Sequence, residues 1–191
     1  MSASEISGRA EGSAWWVAVR ARWPTLLALA IAGLTWGGSP MKGLSEALLL
    51  FGFGYLAAAV IQRRRLTWLI ACSAVLALAL LRLQDRVDPA VVLIVAAVAL
   101  VVWGAVRGRL WPPGELLTEA GGMAFFAAVG LAALMVEPDV GRYLLAAGWI
   151  SHALWDIAHW RANRVVSRSF AEWCAVFDFI GGVSILIFPA I

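Results

Sequence analysis

Charged side chains are scarce in this sequence. Asp, Glu, Lys and Arg supply 14% of the 191 residues and hydrophobic types 62%, whereas a soluble domain carries roughly 25% charged and about 45–50% apolar residues. A water-soluble fold of this length has no interior able to hide so much apolar surface, which excludes a separate soluble catalytic domain. Lysine is scarcer still: Lys42 is the one lysine among 15 basic residues, and the other 14 are arginines. A retinal Schiff base needs a lysine in the last helix of a seven-helix bundle, and Lys42 falls in the first loop, so no retinal is expected. Histidine occurs twice, too few for the three-histidine zinc set of seven-helix hydrolases of the ceramidase and adiponectin-receptor type. The two cysteines, Cys72 and Cys174, each lie inside an apolar run near its expected cytoplasmic end, which argues against a disulfide framework. The net charge of +3 is scattered over short loops and forms no single basic patch, so no nucleic-acid partner is expected.

Apolar runs fill the chain instead. They extend over 25–36, 44–62, 66–84, 89–106, 118–136, 142–160 and 171–190. A transmembrane helix takes about 17–25 mostly apolar residues, so seven spans with short turns use nearly all of residues 14–191. The first run is the weakest, because twelve residues rise only about 18 Å at ~1.5 Å each and need their flanks to cross. The GGSPMKG that follows it lacks a small-x-small cleavage pattern, so the segment reads as part of the mature protein and not as a signal peptide. Residues 1–13 are polar and aperiodic and read as a cytoplasmic tail. Asp88-Pro89 reads as a cap followed by a first-turn proline, and Ser169-Phe-Ala-Glu172 as a capping box with Glu172 as its carboxylate. Most of the eleven tryptophans lie near the ends of the runs, where aromatic belts form.

Loop charge gives an independent test, since short cytoplasmic loops collect Lys and Arg. With the N-terminus inside, the inner segments hold Arg9, Arg20, Arg22, Arg63, Arg64, Arg65, Arg107, Arg109, Arg161, Arg164 and Arg168, which is 11, and the outer ones Lys42, Arg82, Arg86 and Arg142, which is 4. If the first run did not cross, the ratio would become 8 to 7. The expected fold is therefore all-α: a polytopic bundle of seven transmembrane helices, N-terminus cytoplasmic and C-terminus outside, multi-pass in a bacterial inner membrane. The arginine bias, with abundant Ala, Val and Leu, hints at a GC-rich bacterial genome.

The chemistry-bearing residues gather near the C-terminus. In SHALWDIAHWR, His152, Asp156 and His159 follow H-x-x-x-D-x-x-H, which at about 100° per residue places them on one narrow stripe with Gly148. The next run, EWCAVFDFIGGVSI, puts Cys174, Asp178 and Gly182 on a stripe of its own. Counted from the cytoplasmic ends, His152 and Asp178 both lie roughly 10–13 Å deep, so they can meet across the last hairpin. Glu119 and Cys72 belong to the same half of the bilayer as outer members of the group. An ionisable side chain in a span costs about 2.5–3.5 kcal/mol on insertion scales, so it faces protein or water for a reason. A histidine and two carboxylates are a ligand set for Zn or Fe. His152 and His159 stand about 10.5 Å apart along the axis, too far to share one ion, so a mononuclear site takes His152 and Asp156 with Asp178 or Glu119. The plainer account is that the stripe hydrogen-bonds neighbouring helices. Gly52-x-Gly54 reads as a close-packing motif, and Arg63 to Arg65 as contacts to anionic lipid headgroups beyond their topological role.

The pair HALWDIAHWR and FAEWCAVFDF resembles the ending of small bacterial membrane proteins grouped as a domain of unknown function. The resemblance runs from about Gly148 to Gly182, and it implies a shared site without assigning it a chemistry. Three function classes follow: an intramembrane site at His152, Asp156, His159, Asp178 and Glu119 that binds or relays a proton, ion or small ligand; a metal-dependent enzyme for a lipid-soluble substrate; or an accessory subunit whose stripe packs helices. The lipid bilayer is the expected partner, with a protein partner or a second copy compatible with the pattern.

The loop count makes a direct prediction. In a chain lacking Cys72 and Cys174, Val140→Cys is expected to react with a membrane-impermeant thiol reagent added from outside, and Ala162→Cys is expected to stay unlabelled until the membrane is broken. Labelling in the opposite order would invert the topology.

Overall fold

The structure is a computed structural model and describes residues 19–35, 41–84, 86–109 and 114–188. The polar segment 1–13, Trp15 and Trp16, and the ends of the first and last apolar runs at Trp36 and Ala190 lie outside the described residues. Among those described there is no strand, and the main elements are α1 Trp23–Thr35, α2 Met41–Ile61, α3 Thr67–Gln84, α4 Pro89–Val106, α5 Glu115–Met135, α6 Pro138–Ala162 and α7 Arg168–Ile187, with a 3₁₀ turn Arg64–Leu66 leading into α3. The helices coincide with the apolar runs.

Five of them are long and apolar enough to cross a membrane: α2, α3 with its leading turn, α4, α5 and α7. Their outward faces confirm the class. α3 exposes Leu69, Val75, Leu76, Leu80 and Leu83, and α4 exposes Val91, Val95, Val98 and Val102, an apolar band that water would not tolerate and a bilayer requires. The described residues are therefore those of a helical membrane protein. The two remaining helices differ for physical reasons. α1 has 13 residues, a rise of about 20 Å, and α6 is 25 residues long but carries the polar stripe and is not among the five.

α2 is the central helix, packed by α3, α4, α5 and α6, while α7 packs on α6 and α1. Small residues let it be surrounded: Ala57, Ala58 and Ala59 are buried, and at Gly52 an added Cβ would lie 3.2 Å from Met123 Sδ on α5. At Gly54, by contrast, an added Cβ would meet nothing within 4 Å, so only one of the two glycines serves close approach. Ser45 Oγ donates to the Gly130 carbonyl at 2.7 Å, pinning α2 to α5.

Polar contacts latch both ends. At one end Arg82 donates twice to Glu46 Oε2, at 2.9 and 2.7 Å, joining α3 to α2. Lys42 Nζ lies 2.9 Å from Asp88 Oδ2. Asp88 caps α4 as the sequence predicts, accepting from Ala90 N at 2.8 Å with Pro89 in the first turn. The hydrogen bond from Lys42, with that from Ala90, holds the Asp88 carboxyl below the ordinary carboxylate range. Its capping contribution is thus present at neutral pH and is lost as the pH falls through that lowered value. At the other end Arg64 donates to the Asn163 carbonyl, Ser167 N donates to Thr67 Oγ1, Arg164 pairs with Glu115 at 3.1 Å, and Arg22 pairs with Glu172 at 3.5 Å. These contacts bring the described residues before α1, the α2–α3 and α6–α7 connections and the start of α5 to one end, so consecutive helices alternate in direction.

The start of α7 corrects one expectation. Its cap is Ser167, whose side chain accepts from Phe170 N, and not Ser169. Glu172 is no capping carboxylate either, because Thr25 Oγ1 donates to it at 2.6 Å and draws it onto α1. Local pattern placed the box two residues late, and a tertiary contact claimed the carboxylate.

Close approach of α6 and α7 depends on Gly182, where an added Cβ would lie 2.6 Å from Ile150 Cγ1 and 3.0 Å from the Ala146 carbonyl. Gly182→Ala is expected to cost about 1–3 kcal/mol in detergent unfolding, as overpacking does. Gly54→Ala, with nothing within 4 Å of the new methyl, should be neutral or mildly stabilising. Equal effects at the two positions would contradict this packing.

Candidate functional site

The polar stripe of α6 meets α7 and α2 in the middle of the bundle. Glu137 caps α6, accepting from Asp139 N and Val140 N, and Asn163 ends it in the left-handed conformation with φ 50°. The chain then turns through Val165, whose φ of 63° is uncommon for a β-branched residue. Val166 N donates to the Arg164 carbonyl at 2.7 Å across that residue, and the side chains of Val165 and Val166 are buried with Tyr55 and Phe170. This tight turn fixes the register that sets α7 against α6.

In that register His152 Nδ1 lies 2.7 Å from Asp178 Oδ2 and 3.4 Å from Asp156 Oδ2. The three residues are completely buried. Tyr55 OH on α2 donates to Asp156 Oδ1 at 2.5 Å. Asp156 Oδ2, Asp178 Oδ1 and His152 Nε2 have no hydrogen-bond partner among the described residues. Aromatic rings enclose the group: Phe126 lies 4.5 Å and Phe51 5.9 Å from the His152 ring, and Phe177 next to Asp178 stacks on Trp173 at 5.0 Å.

His159 and Glu119 form a separate pair. His159 Nε2 lies 2.8 Å from Glu119 Oε1, its Nδ1 lies 2.9 Å from the Trp155 carbonyl, and Trp155 Nε1 donates to Glu119 Oε2 at 3.3 Å. A carbonyl only accepts, so Nδ1 carries a proton and a second is shared between Nε2 and the carboxylate. Gly122 makes this possible, because an added Cβ there would lie 2.8 Å from the Trp155 ring. Between the two groups stands Tyr55, edge-on to His159 at 4.8 Å and to His152 at 5.6 Å.

The expected site residues thus divide. His152, Asp156 and Asp178 come together, and Asp178 rather than Glu119 completes the set with the α6 pair. Glu119 and His159 belong to the adjoining pair. Cys174 is buried beside Tyr55, and Cys72 is exposed and apart from the cluster. Tyr55 was not singled out by the sequence. Its one signal was a phenol inside an otherwise apolar span, where a buried hydroxyl needs a partner.

Charge sets what the cluster can do. Even with the imidazole protonated, two carboxylates beside it leave a net negative charge among fully buried side chains, and a buried charge is costly unless balanced. Along α2, between α1 and α3, runs an apolar groove of about 1080 Å³ whose lining includes Phe51, Trp149, Trp173 and Phe177, the rings that separate it from the cluster.

No protein-family model, curated protein or solved structure matches this chain.

Tyr55→Phe removes one donor and leaves Asp156 Oδ1 unmatched, so it is expected to cost about 1–3 kcal/mol. Tyr143→Phe, at an exposed tyrosine, should change stability by less than ~0.5 kcal/mol. Thermal unfolding of the two variants checks the assignment, and a silent Tyr55→Phe would break it.

Proposed function

We propose that this chain is a multi-pass protein of a bacterial inner membrane and that all seven helices cross the bilayer, with the N-terminus in the cytoplasm. The positive-inside count supports this, and so does the gathering of the arginine-bearing connections at one end. α6 crosses because its polar face is turned inward, onto α2, α5 and α7. The resemblance of its last hairpin to small membrane proteins of a domain-of-unknown-function group accords with a shared polar site there.

Within that frame the protein binds a proton or a small cation at His152, Asp156 and Asp178, with Glu119 and His159 as the neighbouring station nearer the cytoplasmic end. One observation carries the reading: two buried carboxylates meet one imidazole without enough positive charge to balance them. Simple helix packing would be served by neutral side chains at a lower desolvation cost. A second reading, an enzyme acting on a lipid-soluble substrate, is favoured by the apolar groove that reaches the aromatic wall of the cluster.

A double-mutant cycle tests the unit. Asp156→Asn and Asp178→Asn each alter the charge balance of the same cluster, so their effects on unfolding in detergent are expected to be non-additive by more than about 0.5 kcal/mol. Losses that add within that margin would mean two independent packing contacts and would remove the binding reading.

A further inference from the structure

We infer that His152, Asp156 and Asp178 are the ligand set of a zinc ion, which deepens the cation-binding reading and rests on it. Each residue offers one ligand atom, and these atoms lie within 4.8 Å of one another. Ligands of a tetrahedral zinc at about 2.0–2.2 Å stand about 3.3–3.6 Å apart. The His152–Asp156 separation of 3.4 Å already has that value. The His152–Asp178 separation of 2.7 Å has to open by about 0.6 Å to reach it.

The carboxylates are divided as metal ligands require. Asp156 gives Oδ1 to Tyr55 and keeps Oδ2, which no donor satisfies among the described residues. Asp178 turns Oδ2 to His152 Nδ1, and its Oδ1 is a further oxygen that no donor satisfies among the described residues. Tyr55 is then a positioning residue, fixing the Asp156 carboxylate from behind as outer-shell hydrogen bonds do. The charges close too: two carboxylates and one neutral imidazole around a divalent ion sum to zero, the state an apolar interior accepts at least cost.

The class of ion follows from number and type of ligands. Calcium and magnesium take six or more oxygen ligands, including waters, and the ring-walled site supplies three side chains with one nitrogen among them. Zinc accepts a histidine and carboxylates at low coordination number and, with three protein ligands, keeps a fourth position open. The Glu119–His159 pair, with His159 retaining 11% side-chain exposure, lies on the side from which an ion in water would reach the cluster.

The test uses the full-length chain in detergent without a histidine tag, dialysed after exposure to zinc, with metal measured per chain. About one zinc per chain is expected, and cobalt(II) in its place should give the visible absorption of a tetrahedral ion. Asp156→Asn with Asp178→Asn should lower the zinc to below about a tenth of an ion per chain. Cys174→Ala should retain it, and Tyr55→Phe should retain the stoichiometry while weakening affinity about 10–100-fold. The cobalt spectrum of the unaltered chain stands even if the aspartate variants fail to fold. Wild-type protein without zinc or a cobalt spectrum overturns the inference, and so does zinc retained by the double variant. Absence of zinc with non-additive aspartate effects leaves the proton- or cation-binding reading in place, whereas absence of zinc with additive effects removes both.

Discussion

A carboxylate that has left water must be met by a donor or a cation, and in the middle of an apolar bundle there is no solvent to provide either. That constraint organises the core. Asp156 is met by Tyr55 from α2, Asp178 by His152 from α6, and His152 stands between them. To bring three helices near enough for those contacts, the sequence places glycine where backbones meet, at Gly148 against Val129 and Leu48 and at Gly182 against Ile150. The rings of Phe51, Phe126 and Phe177 then fill the space around the polar atoms, which keeps the dielectric low and makes every remaining imbalance of charge expensive.

The bundle is held unevenly. α2 has fourteen buried residues, while α3 buries only Thr67 and Leu78. α3 is tied chiefly at its ends, by Arg82 to Glu46 and by Trp68 Nε1 donating to Ser169 Oγ at 3.1 Å. Between those ties its flank lines the groove.

Much of this was legible in the sequence, and the failures have specific causes. Helix positions followed from runs of apolar residues, because a bilayer leaves the backbone few alternatives to helix. The meeting of His152 and Asp178 followed from helical geometry, since equal depth on two joined helices constrains both rotation and height. Glu119 could not be separated from the triad that way: depth alone does not say which neighbour a side chain faces. Tyr55 was missed because α2 and α6 are far apart in the chain and no local pattern links them. Glu46 and Glu172 were both taken by partners on other helices, Arg82 and Thr25. No periodicity within a single helix reports such pairings.

A helix that carries ionisable side chains whose partners lie partly on later helices is a poor guest in lipid when it arrives first. α6 carries His152, Asp156 and His159, and Asp178 follows His152 by 26 residues. At about 5–20 residues per second, synthesis delivers that aspartate on the order of 1–5 s after the histidine. On the proposed seven-pass topology, α6 therefore waits at the boundary between channel and bilayer, or against the α2 helix already inserted, until α7 emerges. Joint entry of the last two helices as a hairpin is the order that this arrangement would favour, with the tight turn at Val165 as its joint.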